Sequence, residues 1–453
     1  MLHLSKTKYM KGVQCPKRLW LSVHQPCIPV GAGGECQTDD DVYVLARKIF
    51  GAYKQVSVDT DDFARLVEET RLLIQDGHTV IVEGVFSGQD LSCKVDLVKN
   101  LGNDQVEIYC IKRSTGVKQS YLEEIAFQRY VLTLAGYEVK KSAIIHLRRS
   151  YVRHGELDRQ ELFYIADVTE QTALKHLKVR DRIAMLNEYM KQEAEPEKAT
   201  GQHCYNPYTC EYWSCCSAGD IRPPMEIKEK LDLKSIGSFL DQLSYPLYFL
   251  DFETIFPAIP MFDDSRPYMQ IPFQFSLHWL DSERGVPQHR EYLAPADGSD
   301  PRNELAKQLC AAIPENVCTL AYFDKFERGR IRELAELFPQ YADHLMNIHD
   351  HMIDLYKPFG YRWYWTKEMK GSASLKLVLP ALFPDDPSLD YSKLEEVQNG
   401  GDASSLFLRM IKDKNLTAEE IDTMRTHLLA YCKLDTWAMV KIWQKLLEVT
   451  GRI

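Results

Sequence analysis

Two carboxylates stand one residue apart in Asp251-Phe252-Glu253-Thr254, directly after the apolar run Tyr245-Pro-Leu-Tyr-Phe-Leu. That run reads as a buried strand, and side chains alternate faces along a strand. Asp251 and Glu253 therefore point the same way, with Phe252 packed behind them. Carboxylates so placed repel each other unless a cation lies between them, and hard oxygen ligands suit magnesium or manganese. Further on, Tyr431 and Asp435 are four residues apart in Leu428-Leu-Ala-Tyr-Cys-Lys-Leu-Asp, which puts them on one face of a helix. Asp435 sits among apolar residues, an expensive place for a charge without a partner. A phenol one turn away is suited to orienting a water. Between these segments, Ala321-Tyr-Phe-Asp-Lys-Phe-Glu reads as a strand running into a helix start, and it offers Glu327, or failing that Asp324, as a further acid.

A second cluster is His203-Cys-Tyr-Asn-Pro-Tyr-Thr-Cys-Glu-Tyr-Trp-Ser-Cys-Cys, which holds Cys204, Cys210, Cys215 and Cys216. Cysteines so close together, interleaved with aromatic residues, favour a bound metal over core thiols. Zinc and an iron–sulphur cluster both accept thiolates, and spacing alone leaves the two open. Cys27, Cys36, Cys93, Cys310, Cys318 and Cys432 stand alone among apolar or mixed residues and read as ordinary buried thiols.

The elements that must position these groups form two α/β patterns. In the first, a helix is expected over 42–49 and strands over 78–86, 92–98, 105–112 and 139–147, with a helix over 121–134 between the last two. A Cys- and Pro-bearing connection follows, including Arg222-Pro223-Pro224, and after it a short charged helix. The second pattern begins at Tyr245. The expected organisation is a domain over 1–220, a linker over 221–243 and a second domain over 244–453, both α/β.

A chain of 453 residues exceeds one ordinary core, and 45% hydrophobic with 26% charged residues is a normal globular composition. The net charge of −10 argues against coating nucleic acid by bulk electrostatics. Residues 1–225 hold 29 basic and 30 acidic groups, so nearly all the excess acid lies in the remainder. No apolar run of membrane-spanning length occurs, and the basic, amphipathic start lacks the apolar stretch of a secretory signal. A cytoplasmic location is expected. Lys6, Lys8, Lys11, Lys17 and Arg18, with Tyr9 and Trp20 among them, are candidates for contact with a phosphate backbone.

The order D-x-E, a central acid, then Y-x-x-x-D resembles the DEDDy exonucleases. The resemblance implies an RNase H-like fold and a two-metal mechanism that trims 3′ ends, with magnesium or manganese. Carried over residue by residue, it gives Asp251, Glu253 and Asp435 as metal ligands and Tyr431 as the residue that positions water. The family's N-x-x-F-D aligns with Phe323-Asp-Lys-Phe-Glu327, so Glu327 takes the Asp position and Phe323 replaces the usual Asn.

Cys15, in Cys-Pro-Lys-Arg-Leu-Trp20, together with the later cysteines resembles the RecB-like nucleases, including the CRISPR-associated exonucleases and AddB-type helicase–nucleases. The resemblance implies a 4Fe–4S cluster on Cys15, Cys204, Cys210 and Cys216, with Cys215 able to substitute for Cys216. It also implies a PD-(D/E)XK core containing Asp96, Lys112 and Gln128, with Tyr130 on the same helix. Cys110 stands where that motif wants an acid, and Asp40 stands near the place of an upstream His. Glu107 alternates to the opposite face from Cys110. This domain is expected to bind nucleic acid with weak or no cleavage.

The whole chain resembles a bacterial family that joins these two domains, through Tyr248-Phe-Leu-Asp-Phe-Glu-Thr, Ile271-Pro-Phe-Gln-Phe-Ser-Leu-His, Gly371-Ser-Ala-Ser-Leu-Lys-Leu-Val-Leu-Pro-Ala-Leu and Tyr431-Cys-x-x-Asp-Thr. The expected function is a 3′–5′ exonuclease acting on single-stranded DNA or RNA. The alternative is a non-catalytic nucleic-acid-binding adaptor in a repair or defence complex.

Overall fold

The computed structural model describes residues 3–25, 40–57, 62–217 and 228–453. The chain divides into two compact α/β units. The first is Met1–Arg222 with Ala258–Pro267, and the second is Pro223–Pro257 with Tyr268–Ile453.

The first unit is built on seven strands: β1 (Leu4–Ser5), β2 (Lys54–Gln55), β3 (Val80–Gly88), β4 (Leu91–Gly102), β5 (Gln105–Lys112), β6 (Glu138–Leu147) and β7 (Phe163–Asp167). Their order is β2-β3-β4-β5-β6-β7, with β1 beside β4. The meander β3–β4–β5 is antiparallel and turns tightly at Gln89-Asp90 and Asn103-Asp104, all four with positive φ. Such turns match the twist of the flanking strands. β6 runs parallel to β5, a step that requires a crossover, supplied by the helix Gln119–Leu134. That helix buries Ile125, Phe127, Val131 and Leu132 in the unit's core. Helices Lys6–Gln14 and Pro16–His24 meet at Cys15, whose backbone is extended, and Pro16 opens the second where its missing N–H is harmless.

The second unit holds a five-stranded sheet of β8 (Leu247–Ile255), β9 (Ile271–Leu280), β10 (Gln288–Leu293), β11 (Cys318–Ala321) and β12 (Met352–Asp354), in the order β10-β9-β8-β11-β12. β9 is antiparallel to β8 and β10, while β11 is parallel to β8 and β12. The central β8 is covered on both faces, which is why its sequence reads as a near-continuous apolar run. Leu250, Phe252, Phe275, Leu305, Leu309 and Ile331 belong to one core layer, and Phe249, Leu320, Met439 and Trp443 to another. The helix Ala418–Val449 runs for 32 residues and starts from a reciprocal capping box between Thr417 and Glu420.

The stretch expected as a linker carries the helix Leu233–Leu240, whose Ile236, Phe239 and Leu240 are buried in this unit's core. Its residues 221–227, with Arg222-Pro223-Pro224, lie outside the described residues, as do Cys27 and Cys36. Among the described residues no helix is long and apolar enough to cross a membrane.

Candidate metal centre

β8 presents Asp251 and Glu253 to one side of a cavity of about 370 Å³, which is also lined by Glu327, Tyr431 and Asp435. The register explains how segments so distant in sequence meet. Gln274 of β9 lies opposite Glu253 and donates its Nε2 to the Leu428 carbonyl at 2.9 Å. Ser276 lies opposite Asp251, and its Oγ is 2.7 Å from Thr436 Oγ1, which also bonds His278 Nδ1 at 2.8 Å. These buried polar links pin the long helix to the sheet on either side of Tyr431 and Asp435, fixing its rotation and height.

Glu327 enters from the first turn of the helix Lys325–Leu337. It is 3% exposed, and its Oε2 has no hydrogen-bond partner. A buried carboxylate oxygen left unpaired is costly unless a cation completes it. Asp324 is instead engaged by Arg328 Nε at 2.6 Å and does not line the cavity. Phe323 stands at φ +69°, a strained conformation for a bulky residue, and its N–H donates to Asp354 Oδ1 at 2.9 Å. Phe323 and Phe256 are 50% and 47% exposed at the cavity rim.

The electrostatics follow from crowding acids in a closed space. Burial pushes Asp251 and Glu253 well above the ordinary carboxylate range, and repulsion from Asp435 and Glu327 adds to this in both. Glu327 is pushed up to about 8, first by burial and then by Asp324 and Asp354. Asp435 is raised only to about 6, because hydrogen bonds from Tyr391 and Tyr431 and the charge of Lys376 offset part of its burial. Carboxyls that resist ionisation in empty surroundings ionise when a divalent cation supplies the missing charge.

Three participants were not legible beforehand. Tyr391 donates its hydroxyl to Asp435 Oδ1 at 2.5 Å. Lys376 lies within cation–π range of both Tyr391 and Tyr431. Cys432, read from sequence as an ordinary buried thiol, has its Sγ 3.4 Å from Asp251 Oδ2. Asp251, Glu253 and Cys432 each offer one ligand atom, all within 4.8 Å of one another. Cys432 nevertheless does not line the cavity, so it lies behind Asp251 and holds that carboxylate in place. The signal for Cys432 was available: it follows Tyr431 directly on a helix whose next inward position is Asp435.

In the first unit, Cys15, Cys204, Cys210 and Cys216 surround a second, tighter cavity with Lys17, Arg18 and Lys198. Cys215 is exposed and does not line it. The segment bearing Cys15 is tied to the others by Gln14 Nε2, which donates to the carbonyls of His203 and Tyr208 at 2.9 and 2.6 Å. The two arms of Arg18 and Glu211 lock the same pair of segments.

Asp96, Cys110, Lys112 and Gln128 also come together, but each is internally satisfied. Asp96 Oδ2 accepts from the Ile111 N–H at 2.7 Å. Cys110 Sγ is 2.7 Å from Gln128 Oε1, and Gln128 Nε2 donates to the Lys94 carbonyl. Lys112 pairs with Glu124 at 2.6 Å, and Lys6 takes the other oxygen of Glu124 at 2.9 Å. Glu124, one turn before Gln128, is thus a second acid that strand-based reading missed. The side chain of Asp40 lies outside the described residues. Glu107 accepts from Tyr109 Oη, on the face away from Cys110. The basic run expected on phosphate is largely engaged inside the unit. Lys6 pairs with Glu124, Lys11 and Arg18 with Glu211, and Lys17 with Glu195, while Tyr9 and Trp20 are buried.

Comparison with known proteins gives two likenesses. A family model described as a domain of unknown function (DUF2779) matches residues 248–374. That span opens on the strand of Asp251 and Glu253 and includes Glu327, and it ends before Tyr431 and Asp435. An uncharacterised Mycoplasma pneumoniae protein, described as an MG366 homolog, is 26% identical over 212 residues, covering 43% of this chain and 31% of its own length. The chain therefore spans about a third of that relative.

Proposed function

We propose that the chain is a metal-dependent nuclease whose second unit is an RNase H-like 3′–5′ exonuclease of the DEDDy type, acting on single-stranded DNA or RNA. The observation that carries this is the convergence of Asp251, Glu253, Glu327 and Asp435, with Tyr431, on one open cavity. The sheet agrees with it, since the D-x-E pair sits on a central strand flanked by one antiparallel and one parallel neighbour.

Two magnesium or manganese ions held by these carboxylates would supply Lewis-acid stabilisation and an activated water. The protein's own share of the work is positional. Cys432 and Tyr391 orient Asp251 and Asp435, and Glu327 keeps a free oxygen turned to the cavity. Tyr431 hydrogen-bonds Asp435 and lines the cavity, which places its hydroxyl where it can orient the attacking water. Phe256 and Phe323 give unpaired bases a stacking surface at the rim, an interaction indifferent to sequence.

The first unit, in this reading, is a PD-(D/E)XK-like domain stapled by a 4Fe–4S cluster on Cys15, Cys204, Cys210 and Cys216. The four thiols converge on one tight cavity, which supports a shared metal group there. The basic side chains around the cavity suit an anionic group. Glu124 is saturated by two lysines, which speaks against cleavage by this unit.

The test is a time course on 5′-labelled single-stranded DNA and RNA with magnesium or manganese, comparing the native chain with Asp251→Ala and Asp96→Ala. Shortening from the 3′ end that is lost only in Asp251→Ala is the expected result. Binding without cleavage by the native chain would instead favour the adaptor.

A further inference from the structure

Lys376 lies on the helix Leu375–Leu382, within the phrase 371–382 that carried the whole-chain resemblance but given no role there. Its Nζ is 5.2 Å from the ring centroid of Tyr391 and 5.3 Å from that of Tyr431. The two rings are themselves 6.0 Å apart. A Lys376 N–H also donates to the Gln398 carbonyl, which ties the helix to the loop before the helix Gly400–Lys412. Tyr391 reaches Asp435 and Tyr431 faces the cavity, so one ammonium organises both phenols of the site.

The charge balance gives this placement meaning. Lys376 is the cation whose field reaches both Glu253 and Asp435, whereas Arg330 acts on Glu327 and is itself paired with Glu333. Two of the four acids, Glu253 and Asp435, thus feel the charge of Lys376, which stands behind the two tyrosines and outside the cavity lining.

Resting on the carboxylate site proposed above, we propose that Lys376 is the resident cation and positioning residue of this centre. It counters Glu253 and Asp435 before divalent ions arrive, and it holds the rings of Tyr391 and Tyr431 in their working positions. Once metal is bound, the same ammonium keeps Tyr431 oriented while water forms a P–O bond, the P–O3′ bond breaks, the water's proton leaves to solvent and the 3′ oxygen takes one back.

The two roles pull in opposite directions, which makes them separable. A cation seated on Tyr391 and Tyr431, beside Asp435, opposes divalent ions at the same carboxylates, and removing it strengthens metal binding. Loss of phenol orientation slows turnover. Lys376 is exposed, so solvent screening limits the first effect to about three- to tenfold.

The experiment is a titration of the full chain with Mn²⁺, in which free ion is counted by electron paramagnetic resonance, alongside turnover on a labelled single strand. In Lys376→Met, Mn²⁺ affinity is expected to rise about three- to tenfold while turnover falls at least tenfold, and Lys376→Arg is expected to restore both toward native values. Unchanged or weaker Mn²⁺ binding in Lys376→Met overturns the resident-cation role, even if activity falls. The carboxylate site itself is judged separately. Absence of Mn²⁺ binding by the native chain, or binding unaltered by Asp251→Asn, removes the reading on which this one rests.

Discussion

The hydroxyl of Tyr391 lies 2.5 Å from Asp435 Oδ1, so a residue that opens the 3-10 turn Tyr391–Lys393, with no motif of its own, donates to an acid of the site. A hydrogen bond to a charged group contributes about 1.5–3 kcal/mol. Tyr391→Phe is therefore expected to lower turnover about ten- to a hundredfold, with the fold unchanged by circular dichroism. Activity within twofold of native would show that Asp435 needs no such support.

Glu327 is buried with an unpaired oxygen and a carboxyl pushed up to about 8. Glu327→Gln removes a group that opposes folding when ionised, so in chelator the variant is expected to melt several degrees above the native chain at pH 8. Cleavage should fall at least a hundredfold. Lower stability would mean that the acid has a partner among the protein's own groups.

The pH dependence has a definite sign. The folded-state pKa values of Glu327 and Asp435, about 8 and about 6, lie above those of the unfolded chain, so the native state holds more protons between roughly pH 4 and 8. Stability without metal should be greatest at the acid end of that window and decline as pH rises through it. Divalent ions should flatten the decline, because they replace the protons. Thermal melts at pH 5, 6, 7 and 8, with and without Mn²⁺, provide the check, and a metal-free profile that rises with pH contradicts the assignment.

In the first unit, Glu124 bridges Lys6 and Lys112 at 2.9 and 2.6 Å. Glu124→Gln strands two ammonium groups in a largely buried setting and is expected to destabilise the unit by about 3 kcal/mol. Cleavage by the full chain should survive that change, and Asp96→Ala too, within about twofold. A large loss on Asp96→Ala would restore a catalytic role to this unit.

Cys216 lines the four-cysteine cavity and Cys215 is exposed. With the proposed cluster in place, the native protein is expected to be brown after anaerobic purification, Cys216→Ser to be colourless and Cys215→Ser to stay brown. A colourless native protein that carries zinc would replace the cluster with a different metal.

Much of the arrangement was legible because local and global signals agreed. The apolar run before Asp251 announced a strand buried on both faces, and the four-residue step from Tyr431 to Asp435 announced a helical face. The β5 boundaries, Gln105–Lys112, coincide with the expected strand because turn residues flank it on both sides. What escaped was whatever depended on tertiary approach. Tyr391 lies 44 residues from the acid it serves, and Lys376 reaches its rings from another helix. Glu124 was overlooked because the motif places its acid on a strand, and here a helix supplies one. The short charged helix expected after the Pro-bearing connection is Leu233–Leu240, and what its polar flanks hid is that Ile236, Phe239 and Leu240 are buried.

The links from Gln274 to Leu428 and from Ser276 to Thr436 join a strand to a helix more than 150 positions further along the chain. Truncation of the chain anywhere between them, or local opening of the long helix, parts Asp251 and Glu253 from Asp435. The four acids are then scattered, and no fragment retains the set. A protein built this way loses its carboxylate cluster before it loses its parts, so a truncated or half-assembled copy carries acids without the cluster.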